Sequence, residues 1–420
     1  MPHTVPPAAP IDQAGRSFPL SRAGERWVLI VLSFFMMVAP AATDMYLPAL
    51  PVVTHDLGTS SAQVQLSVSY FFLGFGLGQL FWGPLSDRIG RRPPLLAGIV
   101  LFIAAGLAAG AAHTIDQMLI ARFMQAVGGS AMTVIAQAMA RDAWGRQRSA
   151  QALSMMLLIM GIAPLLAPII GAQILRLTSW RAVFWALAVF GVIGLLMALR
   201  LPETRPRAAR AGVTARAIAG SYLHLLRDVR YVGYTLTSTA VWAGLYVYVA
   251  GAPLLYMQHG GLTPQMFSLF FAMNIAGLIV TNFTNTRLLR LRQPPDRMLR
   301  AGVAGNAAVN TVLGLAACLG WLPLPLLATL LFMFMALRGF INSNAMAGAL
   351  ANHPQHAGTA AALMGALQCV TGFAAGAVMS AFSDGTPRPM LLVMAALGLT
   401  ALALMATLLK SRHEVIEMEV

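Results

Sequence analysis

Twelve apolar runs, each near the ~20 residues a helix needs to cross a bilayer, succeed one another along this chain. They lie at 27–50, 62–84, 94–112, 115–140, 149–175, 179–200, 229–254, 264–288, 298–319, 322–348, 357–382 and 388–410. Most are separated only by short polar breaks; the shortest falls near Trp321. A soluble fold must show water a polar stripe on nearly every helix, and these runs have none. Hydrophobic residues make up 58% of the 420 positions, charged residues only 10%, and mean hydropathy is +0.71. The expected fold is all-α and integral to the membrane, with twelve transmembrane helices in two six-helix bundles.

The formal net charge of +14 would suit a nucleic-acid partner if it were pooled on one soluble face. It is distributed by loop instead. Alternate loops and both tails carry 23 of the 28 basic residues, in groups such as Arg88–Arg92, Arg141–Arg148, Arg200–Arg230 and Arg287–Arg300. The opposite loops hold only Arg176, Arg181 and Arg388, and Arg122 and Arg338 fall inside helices. This asymmetry predicts that both termini and the long central loop are cytoplasmic. It predicts no nucleic-acid partner. Cys318 and Cys369 lie in apolar runs and imply no disulfide framework.

The predicted organisation is a cytoplasmic tail (1–26), an N-terminal bundle (27–200), a cytoplasmic linker (201–228), a C-terminal bundle (229–410) and a short tail (411–420). A signal peptide cleaved near Ala42 is the alternative for the first run, but the run continues past that point and is too long for a signal core. The linker begins LPETRPRAARAGVTARAIAG and ends in a surface helix near Arg227. Two bundles joined this way imply a site between them. FMQAVGGSAM and FMALRGFINSNAM share little beyond small residues and helical period. Glycines at 74 and 78, and at 358, 365, 372 and 376, predict close helix contacts.

Asp44, within APAATDMYLPAL, is the one ionisable residue between Trp27 and Leu50. An intramembrane carboxyl is costly and needs a partner or a function. Counting from the run's end puts it ~9 Å deep, and Arg122 on the fourth run is ~10 Å deep, at 1.5 Å per residue. An acid–base pair is feasible if the two helices are neighbours, with Gln125 one turn from Arg122. Burial and a guanidinium push a carboxyl's protonation in opposite directions. A group held between them can exchange a proton as its surroundings change, so Asp44 is expected to be the proton site and Arg122 its tuner. The alternative is a static pair pinning two helices. Arg338 has no acid nearby in sequence; it is expected near the inner end of its helix, snorkelling or bonded to Asn342, Asn344 or carbonyls, in a structural role.

Two motifs point to moving parts. In GPLSDRIGRRPPLL, Gly83 and Gly90 permit a tight turn, and Asp87 can pair with Arg91 or Arg92 beside Arg88. Such a cluster can latch helix ends in one conformation. On the fifth run, SMMLLIMGIAPLLAPIIGAQIL puts Gly161, Pro164, Pro168 and Gly171 on one helical face with two proline kinks.

The loop resembles the G-x-L-x-D-R-x-G-R-R signature of the major facilitator superfamily. TDMYLPALP, LIARFMQAVGGSAM, FFAMNIAGL and AGTAAALMGALQ resemble the bicyclomycin and chloramphenicol resistance branch of drug:proton antiporters, over about residues 27–400. The resemblance implies the twelve-helix facilitator fold, alternating access and drug export driven by inward proton flow. It implies functional roles for Asp44 and Arg122, and makes the fifth-run pattern an antiporter motif, with Ala167 and Ala172 where glycines are common.

A drug pocket is apolar with few directional polar groups. Its candidate residues are Phe34, Met37, Tyr46, Tyr70, Phe71, Gln125, Tyr234, Trp242, Tyr246 and Asn274. No phosphate loop, metal-ligand spacing or nucleophile motif occurs, so neither a cofactor nor a metal is expected, nor an enzyme. The expected protein is a proton-coupled multidrug exporter, acting as a monomer on small amphiphilic or neutral drugs. The alternative is a facilitator for a natural metabolite, whether exporter or proton symporter for a purine, amino acid or sugar.

Overall fold

The computed structural model describes residues 22–144, 146–205, 215–353 and 357–409. The expected tails, up to residue 21 and from 410 on, and the linker's 206–214 lie outside the described residues. Among the described residues, 12 helical spans are long and apolar enough to cross a membrane. They are numbered here in chain order: span 1 Gly24–Asp56, span 2 Ser61–Ile89, span 3 Arg92–Gly110, span 4 Ile115–Ala143, span 5 Gln151–Leu177 and span 6 Trp180–Leu199. After the linker helix Ala215–Arg227 come span 7 Val229–His259, span 8 Pro264–Arg290, span 9 Pro295–Leu319, span 10 Leu324–Leu350, span 11 Gly358–Ala381 and span 12 Arg388–Leu408.

Bare glycine surfaces let helices approach within each bundle. A Cβ on Gly74 or Gly78 would run into Phe123 or Ser130 of span 4, so spans 2 and 4 pack backbone to backbone. Between bundles, span 2 lies against span 11 and span 5 against span 8. Gly372 and Gly376 serve the first contact region, against Tyr246 and Ser69, whereas Gly358 meets nothing within 4 Å. The expected stripe on span 11 therefore does not extend to Gly358.

Three spans break in ways the sequence reading did not anticipate. Span 1 does not stop at Leu50. It runs as helices Arg22–Met36 and Val38–Asp44, a 3-10 turn Leu47–Ala49 and a last helix Leu50–Asp56. Pro48 and Pro51 sit in the first turns of those last pieces, where a missing N–H costs nothing. They redirect the helix and do not end it. Asp44 is accordingly 12 residues from Asp56, or ~18 Å along the span, twice the depth expected. Span 5 breaks at Gly161, between helices Arg146–Met160 and Ala163–Leu177, so Gly161 does not share one continuous face with Pro164, Pro168 and Gly171. Span 10 breaks at the 3-10 turn Arg338–Phe340. In the signature loop, Ser61–Ile89 is one helix straight through Gly83, so only Gly90 turns the chain, at φ 101°, a conformation open to glycine alone.

The bundles are stitched together on the arginine-poor side. There Ser380 Oγ donates to the Ala62 carbonyl at 2.9 Å, and Ser268 Oγ donates to the Pro168 carbonyl at 2.9 Å. Gln265 Nε2 donates to the Ala172 carbonyl at 3.4 Å, and Ser61 and Gln258 side chains meet at 3.4 Å. Toward mid-membrane the seam is aromatic, with Tyr70 edge-on to Phe373 at 5.3 Å and Phe72 against Tyr246 at 3.9 Å.

Candidate proton and substrate site

Asp44 ends the helix Val38–Asp44, where the chain begins to turn and backbone carbonyls lose their helical partners. The carboxyl is only 6% exposed. Thr43 Oγ1 lies 3.0 Å from Asp44 Oδ1 and 3.0 Å from the Ala39 carbonyl, so one hydroxyl serves two acceptors. Across the seam, the turn Leu47–Ala49 that follows Asp44 packs against spans 7 and 8, where the Tyr248 hydroxyl accepts a hydrogen bond from Asn274 Nδ2 at 2.7 Å. Behind Asp44, span 5 presses on the turn: a Cβ on Gly171 would collide with the carbonyl of Met45.

Arg122 reaches the same region without pairing with the acid. Its Nη1 donates to the Ala42 carbonyl at 3.0 Å and to Gln125 Oε1 at 2.8 Å. Among the described residues no ion pair within 4 Å joins it to Asp44, contrary to the expected partnership. The guanidinium is 0% exposed and boxed by the rings of Phe71 at 4.4 Å, Tyr46 at 5.0 Å and Phe184 at 5.7 Å. Its Nε and Nη2 have no hydrogen-bond partner. The helix backbone intervenes: Arg122 grips the carbonyl two residues before Asp44, where the helix is about to break and carbonyls are most in need of donors.

The ten pocket candidates do not share one location. Tyr70 and Tyr246 lie on the seam, and Trp242 is tilted against Tyr246 at 5.7 Å. Tyr46, Phe71 and Gln125 are buried inside the N-terminal bundle around Arg122, with Tyr46 bonded to Ser67 at 3.1 Å, so they shape the arginine box and do not face a ligand directly. Asn274 is buried on Tyr248 in the other bundle. Phe34 and Tyr234 are misassigned. Phe34 stacks on Phe190 of span 6 at 4.1 Å, away from the seam, and Tyr234 donates to Asp296 Oδ1 at 2.6 Å at the end of span 9. A shared helical face on span 7 carries residues of very different depth, which is why spacing alone grouped Tyr234 with Trp242 and Tyr246. Met37 is half-buried at the first break of span 1. Phe72 and Phe373 were not singled out from the sequence, and an aromatic on a membrane helix gives no sign of which neighbour it meets.

The signature loop carries an ion-pair and hydrogen-bond cluster with more members than its motif contains. Arg91 pairs with Asp87 at 2.8 Å and with Asp142 at 2.7 Å, and donates to Ser86 Oγ at 2.8 Å. Glu203 accepts the backbone N–H groups of Arg91 at 2.9 Å and Arg92 at 3.2 Å, while Arg205 meets Asp87 at 3.1 Å. Burial opposes the Arg91 charge, but Asp142 and Asp87 outweigh it and raise the guanidinium's pKa above its ordinary value. Arg92 Nη2 donates to the Leu199 carbonyl at 2.7 Å, tying span 3 to span 6, and Arg88 lies on the same helix end. Asp142 and Glu203 lie 51 and 112 residues from Arg91, too far apart to read as one motif; their signal was two acids among loop arginines.

Arg338 does not snorkel. It lies midway along span 10, is 1% exposed, and its Nη1 donates to the Val241 carbonyl of span 7 at 2.8 Å.

The family model described as "Major Facilitator Superfamily" matches residues 32–377. The chain is 31% identical over 369 residues to a bicyclomycin resistance protein homolog of Haemophilus influenzae, covering 88% of this chain and 92% of the relative. It is 32% identical over 285 residues to the multidrug resistance protein MdtL of Escherichia coli K12, covering 67% and 72%. A crystal structure of a D-xylose–proton symporter superposes with a TM-score of 0.72 at 14% identity, covering 90% of this chain and 97% of that one. With 12 spans in two bundles and a family match across both, this chain belongs to the major facilitator superfamily.

Proposed function

We propose that this protein is a drug:proton antiporter of a bacterial inner membrane, exporting small amphiphilic or neutral drugs by alternating access, with both termini cytoplasmic. The observation that carries the reading is Asp44: a buried carboxyl at the inter-bundle seam with no fixed cation within ion-pairing distance. Such a group changes protonation with the hydration of its surroundings, and an alternating seam changes that hydration every cycle. Arg122 acts on it indirectly, by holding the carbonyl of Ala42 and so the helix end from which Asp44 projects.

The names of the relatives support drugs as the substrate class. The seam itself supports apolar cargo, through Tyr70, Phe72, Trp242, Tyr246 and Phe373. With the arginine-rich side cytoplasmic, the bonds of Ser380, Ser268, Gln265 and Ser61 close the outer side, which describes an inward-facing member of the cycle. The signature latch and the span 5 break at Gly161 are the parts that would reset it. The protein works as a monomer in this reading and performs no covalent chemistry.

Expression in a drug-sensitive bacterial host lacking its own pumps tests the proposal. Resistance across a drug panel, collapsed by a protonophore, is the expected outcome. Absence of resistance together with proton-dependent uptake of a nutrient would overturn it.

A further inference from the structure

We infer that Arg338 is the anion-recognition group of a second subsite, on the C-terminal side of the seam, that takes substrates carrying a carboxylate on a flat aromatic ring. The inference rests on the reading of the seam as the transport site.

The Arg338 guanidinium is only partly used. Only Nη1 has a partner, the Val241 carbonyl at 2.8 Å. Nε and Nη2 are buried with none. Those two nitrogens form one edge of the guanidinium, and two parallel N–H groups along that edge match the two oxygens of a carboxylate. Protein side chains do not supply that carboxylate. Between residues 228 and 409 the acids are Asp228, Asp296 and Asp384, and they are occupied by His353, Tyr234 and Thr386 respectively, near the ends of spans. The charge is therefore held in mid-membrane without a counter-ion, an expensive arrangement that marks function more often than packing.

The surroundings fit an aromatic acid. Trp242 lies beneath the guanidinium at 4.8 Å and is itself half-buried, tilted against Tyr246 at 5.7 Å, whose ring meets Phe72 of the other bundle at 3.9 Å. The edge is buried in this structure; in the transport reading a ligand carboxylate reaches it beside Trp242 as the bundles part and Tyr246 leaves Phe72. Arg122 has the same two nitrogens free, yet three rings enclose it inside its own bundle. The 3-10 turn Arg338–Phe340 sets the difference, because it interrupts span 10 at the point where the side chain turns to span 7.

Equilibrium binding to the purified, detergent-solubilised protein tests this, using nalidixic acid and its methyl ester as probes. The wild type is expected to bind the acid at least ~10-fold more tightly than the ester, as loss of a bidentate charged contact demands. Arg338→Met should erase that preference while leaving ester affinity within about threefold, and Arg338→Lys should restore only part of it. Equal affinity for acid and ester in the wild type, no binding of either, or a preference that survives Arg338→Met overturns the inference. The wild-type comparison decides even where a variant fails to fold. Because no proton gradient is involved, an intact acid preference in a protein that confers no resistance would sink the antiport reading alone.

Discussion

Gly171 of span 5 rests directly against the carbonyl of Met45, the residue that follows Asp44. No side chain fits between them. The span that carries the antiporter-like prolines thus touches the backbone turn that presents the carboxyl, so a shift of span 5 is felt at Asp44 at once. Gly171→Ala is expected to destabilise the fold by about 1–3 kcal/mol through overpacking. It should impair drug export more than drug binding, as measured by melting temperature, binding and resistance on the same variant.

Asp44→Asn should leave the protein in the membrane with drug binding retained, since an amide keeps the shape and can still meet Thr43. Proton-coupled export should disappear, and so should proton release or uptake on drug binding by the purified protein. Unchanged export by this variant would refute the role given to Asp44.

Arg122 presents the opposite balance. Two of its nitrogens are buried without partners, and each such group carries a penalty of about 1–3 kcal/mol. Arg122→Met removes those two penalties but leaves the Ala42 carbonyl and Gln125 Oε1 without their donor, so melting temperature is expected to change little while export is abolished. A variant that melts lower and still transports would mean that the arginine is a structural pin.

Glu203 gathers the backbone N–H groups of Arg91, Arg92 and Arg205. Glu203→Ala should cost about 1–3 kcal/mol and slow transport without changing equilibrium drug affinity. Asp142→Asn should act in the same direction, because it removes the charge opposite Arg91. Transport rate in proteoliposomes, set beside binding, separates the latch from the substrate site.

Asp228 caps span 7 and meets His353 at 2.8 Å. Partial burial works to raise its carboxyl pKa, but hydrogen bonds from His353 and the Arg230 and Tyr231 backbone hold it below the ordinary carboxylate value. A depressed folded pKa gives stability that is complete above the unfolded value of about 3.9 and is lost as pH falls through the lower folded one. The melting-temperature difference between wild type and Asp228→Asn should accordingly shrink as pH drops from 6 toward 3. A constant difference would show that the contact does not depend on the charge.

Much of this was legible in the residues. Lipid demands internally satisfied helices, so apolar run length alone located all the spans to within a few residues, apart from the end of the first. Asp44, Arg122 and the loop acid Asp87 stood out because charge is conspicuous among apolar neighbours. Direction of a side chain was not legible. Phe34 and Tyr70 are both aromatics on apolar helices, yet one stacks within its bundle on Phe190 and the other meets Phe373 across the seam.

What the sequence determined by itself was therefore the membrane, the number of spans and the chemistry available inside them. The tertiary structure alone decided who meets whom. It joined Asp142 and Glu203 to a loop far away in the chain, withheld Arg122 from Asp44 and gave it the Ala42 carbonyl, and left two buried nitrogens of Arg338 without partners beside Trp242. The physical reason is that hydropathy is summed along the chain, whereas hydrogen bonds and ring contacts depend on where helices break and which faces then turn together.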